Sequence, residues 1–335
     1  MRGGQQSVYL ERMRRRAGVV AAVRQWFAAA DFLEVDTPVA LSTVAPELHI
    51  EAPEVMLALP EPTRRFLQTS PELPMKRLLA AGFPRIYQIA AVFRDGDLGP
   101  VHRPEFRLLE WYRRDEPWSA LLADCEGLLR AAALAAGCGE VVTWGERRMD
   151  LRGPFDRISV DEAFRVHAGF SILDALQAEA LRDELDRLGL HHAADDGWDD
   201  LYHRVFLSHV EPALLARERP LFLTRFPAPL CSLARLASDD PRVAERFELY
   251  AGGLELANGF GELTDPEEQR RRFIGENALR VQRGLKSYPL DERFLATLAH
   301  VPPCAGIALG LERLLMPLLN AEDLDGVSFI PWGDT

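Results

Sequence analysis

The stretch FELYAGGLELANGFGE, residues 247–262, constrains the fold more than any other part of this 335-residue chain. Two apolar, strand-like runs are separated by only Gly252 and Gly253, and two glycines in that position read as a tight hairpin turn. Strands joined this way pair antiparallel. A second strand-like pair, 85–94 and 105–113, is split by the polar Gly- and Pro-containing loop 95–104 and reads as a longer hairpin of the same kind. No G-x-G-x-x-G follows a first strand and no P-loop lysine motif is present, which disfavours a doubly wound nucleotide-binding sheet. The expectation is an α+β fold, a mostly antiparallel sheet flanked by helices, in a single domain spanning 1–335.

Apolar recurrence predicts helices over 71–81, 118–136, 174–188, 200–215 and 266–284, and a Gly-bounded strand turning into an apolar helix over 306–319. Residues 32–39 read as a strand ending at Pro38, and the segment carrying Pro46, Pro53, Pro60 and Pro62 reads as loop. Near the start, Arg12, Arg14, Arg15 and Arg16 precede an apolar run, as in a secretory leader, but Arg24 ends that run too early. Val19, Val20, Val23, Trp26, Phe27 and Ala30 instead recur at helical spacing, which predicts an amphipathic helix packed on the domain. Four scattered cysteines form no C-x-x-C pair, so a reducing, cytoplasmic setting without zinc or disulfides is expected, with no membrane partner. The formal charge of -12 argues against long-range attraction to nucleic acid.

Three groups of residues carry chemistry. Residues two apart on a strand share a face, so Glu110 and Tyr112 point together with Phe106 and Leu108. Glu110 is either a solvated strand residue or a buried acid that needs a cationic ligand. If Gly252 and Gly253 form the turn, Tyr250 pairs with Glu255, and Glu248, Tyr250 and Glu255 share one face of the hairpin. Two acids there suit a hard magnesium ion bound together with nucleotide phosphates. Glu262 lies seven residues beyond Glu255, an odd spacing that sends it to the other face unless a bulge at Gly259 or Gly261 restores the parity. Finally, Arg94 at one strand end and Arg313 in the first turn of the last helix can clamp a polyphosphate. Gly306 and Gly310 would let a base or ribose lie close to the strand backbone.

Together these pieces resemble the class II aminoacyl-tRNA synthetases. FRDGDLGPVHRPEFRLLEWY resembles motif 2 (about 85–113), GIALGLERLLM motif 3 (about 306–319), and FLEVDTP the dimer-forming motif 1 (about 19–40). TSPE at 69–72, LLEWY at 108–112 and ELANGFGELTD at 255–265 look like the lysine-specific branch. Only about eighteen residues precede motif 1, where tRNA-charging members carry an anticodon-binding domain. The chain is in this respect similar to truncated paralogues that join lysine or (R)-β-lysine to elongation factor P. Ser70, where tRNA-charging members generally have Ala, and Ala308, where they generally have Gly, lean the same way.

The resemblance implies ATP and Mg2+ as cofactors, a homodimer, elongation factor P as protein acceptor and no tRNA partner. It implies that Arg94 meets the α-phosphate, Arg313 the γ-phosphate, and Glu248 and Glu255 the magnesium. Glu110, Tyr112 and Glu262 would bind the terminal ammonium of lysine or (R)-β-lysine. Ser70, Pro71 and Glu72 would lie by its other amino group, with Asn258 and Ala308 close by. The rest of the ATP site would comprise Asp95, Gly96, Asp97, His102, Arg103, Phe106, Leu256 and Gly310. The family's FRNE and HNPEF read FRDG and HRPEF here, so Gly96 cannot supply the missing Glu's contact to adenine, and Arg103 replaces an Asn. A tRNA-aminoacylating enzyme, an amide synthetase and a catalytically silent amino-acid-binding regulator are the alternatives.

Overall fold

Antiparallel hairpins build the centre of the sheet, and parallel strands close both of its edges. The computed structural model describes residues 3–334; Met1, Arg2 and Thr335, which the expected 1–335 domain includes, lie outside the described residues. In chain order the elements begin α1 (Gly3–Ala29), β1 (Leu33–Glu34), β2 (Ala40–Leu41), β3 (Glu54–Leu57), β4 (Thr63–Leu67), α2 (Glu72–Ala80), β5 (Arg85–Phe93) and β6 (Glu105–Arg114). There follow α3 (Ser119–Ala135), β7 (Val141–Trp144), β8 (Arg147–Asp150), β9 (Asp156–Ser159), α4 (Val160–His167), α5 (Ala178–Leu188), α6 (Trp198–Val205) and α7 (Glu211–Leu215). The chain ends with β10 (Leu221–Thr224), β11 (Arg246–Ala251), β12 (Leu254–Gly261), α8 (Pro266–Gln282), α9 (Glu292–Leu298), β13 (Cys304–Gly310) and α10 (Leu311–Leu318).

The main sheet has eight strands in the order β1-β5-β6-β13-β12-β11-β10-β9. Only β1–β5 and β9–β10 pair parallel, so the mostly antiparallel expectation holds. The turn between β11 and β12 has φ of 61° at Gly252 and 76° at Gly253, the left-handed region in which glycine carries no Cβ penalty. Tyr250 pairs with Glu255 as the spacing predicts. The bulge, however, sits where the register shifts between Leu249 and Tyr250, leaving Leu256 as the extra residue, and not at Gly259 or Gly261. That single insertion returns Asn258, Phe260 and Glu262 to the face of Glu255.

One face of the sheet packs on α1 and α3. Val19, Val23 and Phe27 of α1 are fully buried, and Phe27 stacks on Tyr87 at a centroid distance of 4.2 Å. Leu109 and Trp111 of β6 join this core, together with Leu309 of β13 and apolar residues of α10. The helices α4 to α7 enclose a second core around Phe164, Tyr202 and Leu223. Two readings of 32–67 differ from the sequence expectation. Only Leu33–Glu34 pairs as a strand ahead of Pro38, because beyond Val35, whose N–H reaches the Tyr87 carbonyl, the chain leaves the sheet. The proline-rich stretch is not all loop: β2, β4 and β3 form a small sheet, with the four prolines lying between its strands.

Candidate active site

Strand alternation makes the cleft. Because Leu109 and Trp111 face α1 and α3, Leu108, Glu110 and Tyr112 turn to the opposite face, where β6, β13 and β12 floor an open cleft with a cavity volume of about 190 Å³. At one end Glu110 is 1% exposed. Its carboxylate accepts hydrogen bonds from the Ser70 hydroxyl at 2.6 Å and the Tyr112 hydroxyl at 3.0 Å, yet no cation of the chain pairs with it among the described residues. Burial, reinforced by the charges of Glu72 and Glu262 and only partly offset by the Ser70 bond, pushes its carboxyl up to about 8.

Lys76, on α2, is fully buried between two acids, its Nζ 2.5 Å from Glu72 and 2.6 Å from Glu262. Burial works against the ammonium, but Glu262 and Glu72 outweigh it and hold Lys76 above its ordinary value. Glu72 begins α2 and Lys76 lies one turn on, so helical geometry places the pair on one face. Gly306 of β13 fits under this group because it has no side chain. A Cβ there would collide with the Tyr112 ring and a Glu262 oxygen. The room expected at Gly306 for a base is therefore filled by the protein itself, and a Cβ on Gly310 would meet only the Arg313 side chain.

The other end is cationic. Arg94 closes β5 with its guanidinium 5.2 Å above the Phe106 ring. Its buried Nε has no acceptor, and it forms no ion pair among the described residues. Arg313 donates to the Glu255 carbonyl at 3.0 Å and to His102 Nε2 at 2.8 Å. Burial, with Arg313 as the nearest cation, holds His102 below its ordinary value, consistent with a neutral acceptor. Arg103 lines the cleft but its guanidinium pairs with Asp325 at 3.0 Å, which ties the β5–β6 loop to the C-terminal segment. A cavity with separate acidic and basic ends suits an ammonium-bearing acid and a polyphosphate bound end to end.

For magnesium, no group of three or more His, Cys, Asp or Glu side chains is poised to hold an ion among the described residues. The donors fit an ion shared with phosphates. Among the described residues the Glu255 carboxylate accepts no hydrogen bond and has only Arg313 nearby, at 3.7 Å, and burial with the neighbouring Glu248 charge raises its carboxyl to about 7. Glu248 is engaged by Arg246 and by the Tyr250 hydroxyl, both at 2.8 Å, and strand pairing puts it on the same face of the hairpin as Glu255.

Of the residues singled out by sequence, Ser70, Glu72, Glu110, Tyr112, Asn258, Glu262 and Ala308 line the acidic half of the cleft, together with Arg94, Asp97, His102, Arg103, Phe106, Glu255, Leu256, Gly310 and Arg313 around it. Pro71, Asp95, Gly96 and Glu248 do not line it. Pro71 is the residue before the first turn of α2, the Asp95 carboxylate turns back to the Gly96 N–H, and Glu248 lies beneath its ion pair. Ser70, expected beside the substrate's other amino group, donates its hydroxyl to Glu110 and accepts from the Glu72 N–H at 3.0 Å. Sequence reasoning also missed Lys76, whose i, i+4 spacing from Glu72 was the available signal, and Glu47, which gave none.

A family model described as tRNA synthetases class II (D, K and N) matches residues 4–332. The chain belongs to this family. It is therefore an ATP-dependent ligase that activates an amino acid, with the large, mostly antiparallel sheet of the class II catalytic domain. Similar full-length relatives include the elongation factor P--(R)-beta-lysine ligase of Pectobacterium carotovorum subsp. carotovorum (strain PC1), 39% identical over 332 residues, covering 96% of this chain and 95% of that protein. The proteins of the same name from Hamiltonella defensa and Proteus mirabilis are 37% and 38% identical, each covering 98% of this chain and 97% of its own.

Proposed function

We propose that this class II ligase activates (R)-β-lysine, or lysine, as the aminoacyl-adenylate and transfers it to a lysine side chain of elongation factor P. The observation that carries the reading is one cleft with the uncompensated carboxylate of Glu110 at one end and the unpaired guanidinium of Arg94 at the other. The names of relatives covering the full chain agree with it. In this reading Glu110 and the Tyr112 hydroxyl receive the substrate's terminal ammonium, and Glu262, with Lys76 behind it, shapes the floor beneath. Arg94 neutralises the α-phosphate and Arg313 the γ-phosphate. Glu255 and Glu248 would hold magnesium, which lowers the charge of the phosphates.

The substrate carboxylate attacks the α-phosphorus, the bond to the bridging oxygen breaks, and pyrophosphate leaves. The acceptor amine then attacks the acyl carbon, forms the amide and displaces AMP, with loss of one proton. Positioning and charge neutralisation account for both steps, so no nucleophilic side chain is required. The acidic surface, with a formal charge of -12, favours a protein acceptor over tRNA. The two-chain assembly expected from motif 1 and a cytoplasmic setting belong to the same reading. The cysteines are free, and among the described residues no helix is long and apolar enough to cross a membrane. The test is ATP-dependent labelling: incubation with elongation factor P, ATP and (R)-β-lysine should add 128 Da, roughly one lysyl residue, to the acceptor, and labelling of tRNA instead would reject the assignment.

A further inference from the structure

An amino acid with a terminal ammonium, activated at its carboxylate, still carries a second ammonium beside that carboxylate. The side chains expected there are already committed. Ser70 donates to Glu110, and Glu72 pairs at 2.5 Å with Lys76, which it shares with Glu262. Of the acids beside Ser70 and Glu72, one is left with neither a hydrogen bond nor an ion pair. The carboxylate of Glu47 accepts no hydrogen bond and enters no ion pair among the described residues, although it lines both the main cleft and a small side cavity of about 10 Å³ shared with Ser70 and Glu72.

The loop that carries Glu47 is fixed in place. Arg280 of α8, fully buried, donates to the carbonyls of Glu47 at 2.6 Å and Ile50 at 3.0 Å and pairs with Glu51, while the Leu48 N–H donates to Glu276 at 3.1 Å. The linings of the two cavities locate the Glu47 carboxyl, beside Ser70 and Glu72 in both and with Arg94 in the larger. Burial and the charge of Glu72 push it up to about 7, and Arg94 on the phosphate side pulls it down. It therefore shares the cleft with both Glu72 and Arg94, the arginine assigned to the α-phosphate.

We infer that Glu47 binds the ammonium group next to the substrate's reacting carboxylate and so selects diamino acids over monoamino acids of the same length. This inference rests on the activity proposed above. A carboxylate offered to a second ammonium strengthens binding of lysine or (R)-β-lysine and contributes nothing to 6-aminohexanoate, which has only the terminal one.

ATP–pyrophosphate exchange by the full chain with (R)-β-lysine, lysine and 6-aminohexanoate tests this, comparing wild type with Glu47→Gln, Glu47→Asp and Glu72→Gln. Glu47→Gln should lower kcat/KM roughly tenfold or more for the preferred diamino acid, chiefly through KM, while changing 6-aminohexanoate and the KM for ATP by less than about twofold. Glu47→Asp, which keeps the charge, should retain most of the selectivity. Equal losses on all three substrates, or selectivity lost in Glu72→Gln and retained in Glu47→Gln, would overturn the role of Glu47 alone. A wild type that exchanges with none of the three would overturn the activity itself, and this inference with it.

Discussion

Replacing Lys76 by Met keeps the volume and flexibility of the side chain and removes its charge, which isolates the electrostatic part of the buried triad. Lys76 is fully buried, Glu262 is 1% exposed at its side chain and Glu72 13%, so water cannot replace the lost ammonium. Removing one partner of a buried ion pair costs about 3 to 5 kcal/mol, because the partner charge is left uncompensated. Here two carboxylates share the loss. The expected effect is a fall in melting temperature on the order of 10 °C at pH 8. The pH dependence follows from the carboxyls. Glu262, already pushed up to about 7 by burial despite Lys76, rises further without it, so at pH 5.5 the variant folds with Glu262 protonated and the deficit shrinks. Lys76 itself, held above its ordinary value, stays charged across this range in the wild type and adds no pH dependence there. Thermal unfolding at both pH values measures the effect, and adding Glu262→Gln to Lys76→Met should recover at least about 1 kcal/mol by removing one of the stranded charges. A loss below about 1 kcal/mol at pH 8, or a double variant weaker than the single, would refute the reasoning.

Glu110, raised to about 8 in the free protein, is protonated at pH 6 and must release its proton to solvent when it binds a cationic ligand. Lysine affinity should therefore increase as pH rises from 6 to 8 and level off above, and calorimetry at pH 7 in buffers of different ionisation enthalpy should show net proton release that Glu110→Gln reduces. Ala308 pairs with Glu110 across β13 and β6 and its methyl lines the cleft, so Ala308→Gly should relax substrate choice, shifting relative exchange rates of lysine and (R)-β-lysine by up to roughly tenfold; an unchanged ratio removes Ala308 from the specificity argument. Sedimentation at micromolar concentration should give twice the chain mass, and a single-chain value would reject the dimer expected from motif 1.

The hairpins were legible because turn chemistry and strand pattern are local. Gly252 and Gly253 declare both the turn and the Tyr250–Glu255 pair within a few residues. The position of the bulge was not, since glycine marks where the backbone could deviate and the register of three strands decides where it does. Gly259 proves necessary for a different reason: a Cβ there would strike the Phe247 ring. The small sheet of β2, β3 and β4 escaped for the opposite reason, as its strands of two to five residues are too short to outweigh the prolines between them.

The cleft residues were legible where strand parity or a shared motif delivered them, and hidden where charge had to be apportioned among them. Sequence counts acids; it does not say which acid each internal cation neutralises. Of the acids around the ammonium end, Glu72 and Glu262 are met by Lys76, and that sharing leaves Glu110 and Glu47 as the two carboxylates without a protein cation. A ligand that satisfies both carries two positive charges set apart along one chain and presents its own carboxylate toward Arg94. Lysine and β-lysine both meet that description, and they differ only in which carbon bears the ammonium that faces Glu47. Discrimination between them then has two sources in this reading: the Ala308 methyl that lines the cleft, and the position of the Glu47 loop, which Arg280 and Glu276 of α8 hold from outside the three family motifs.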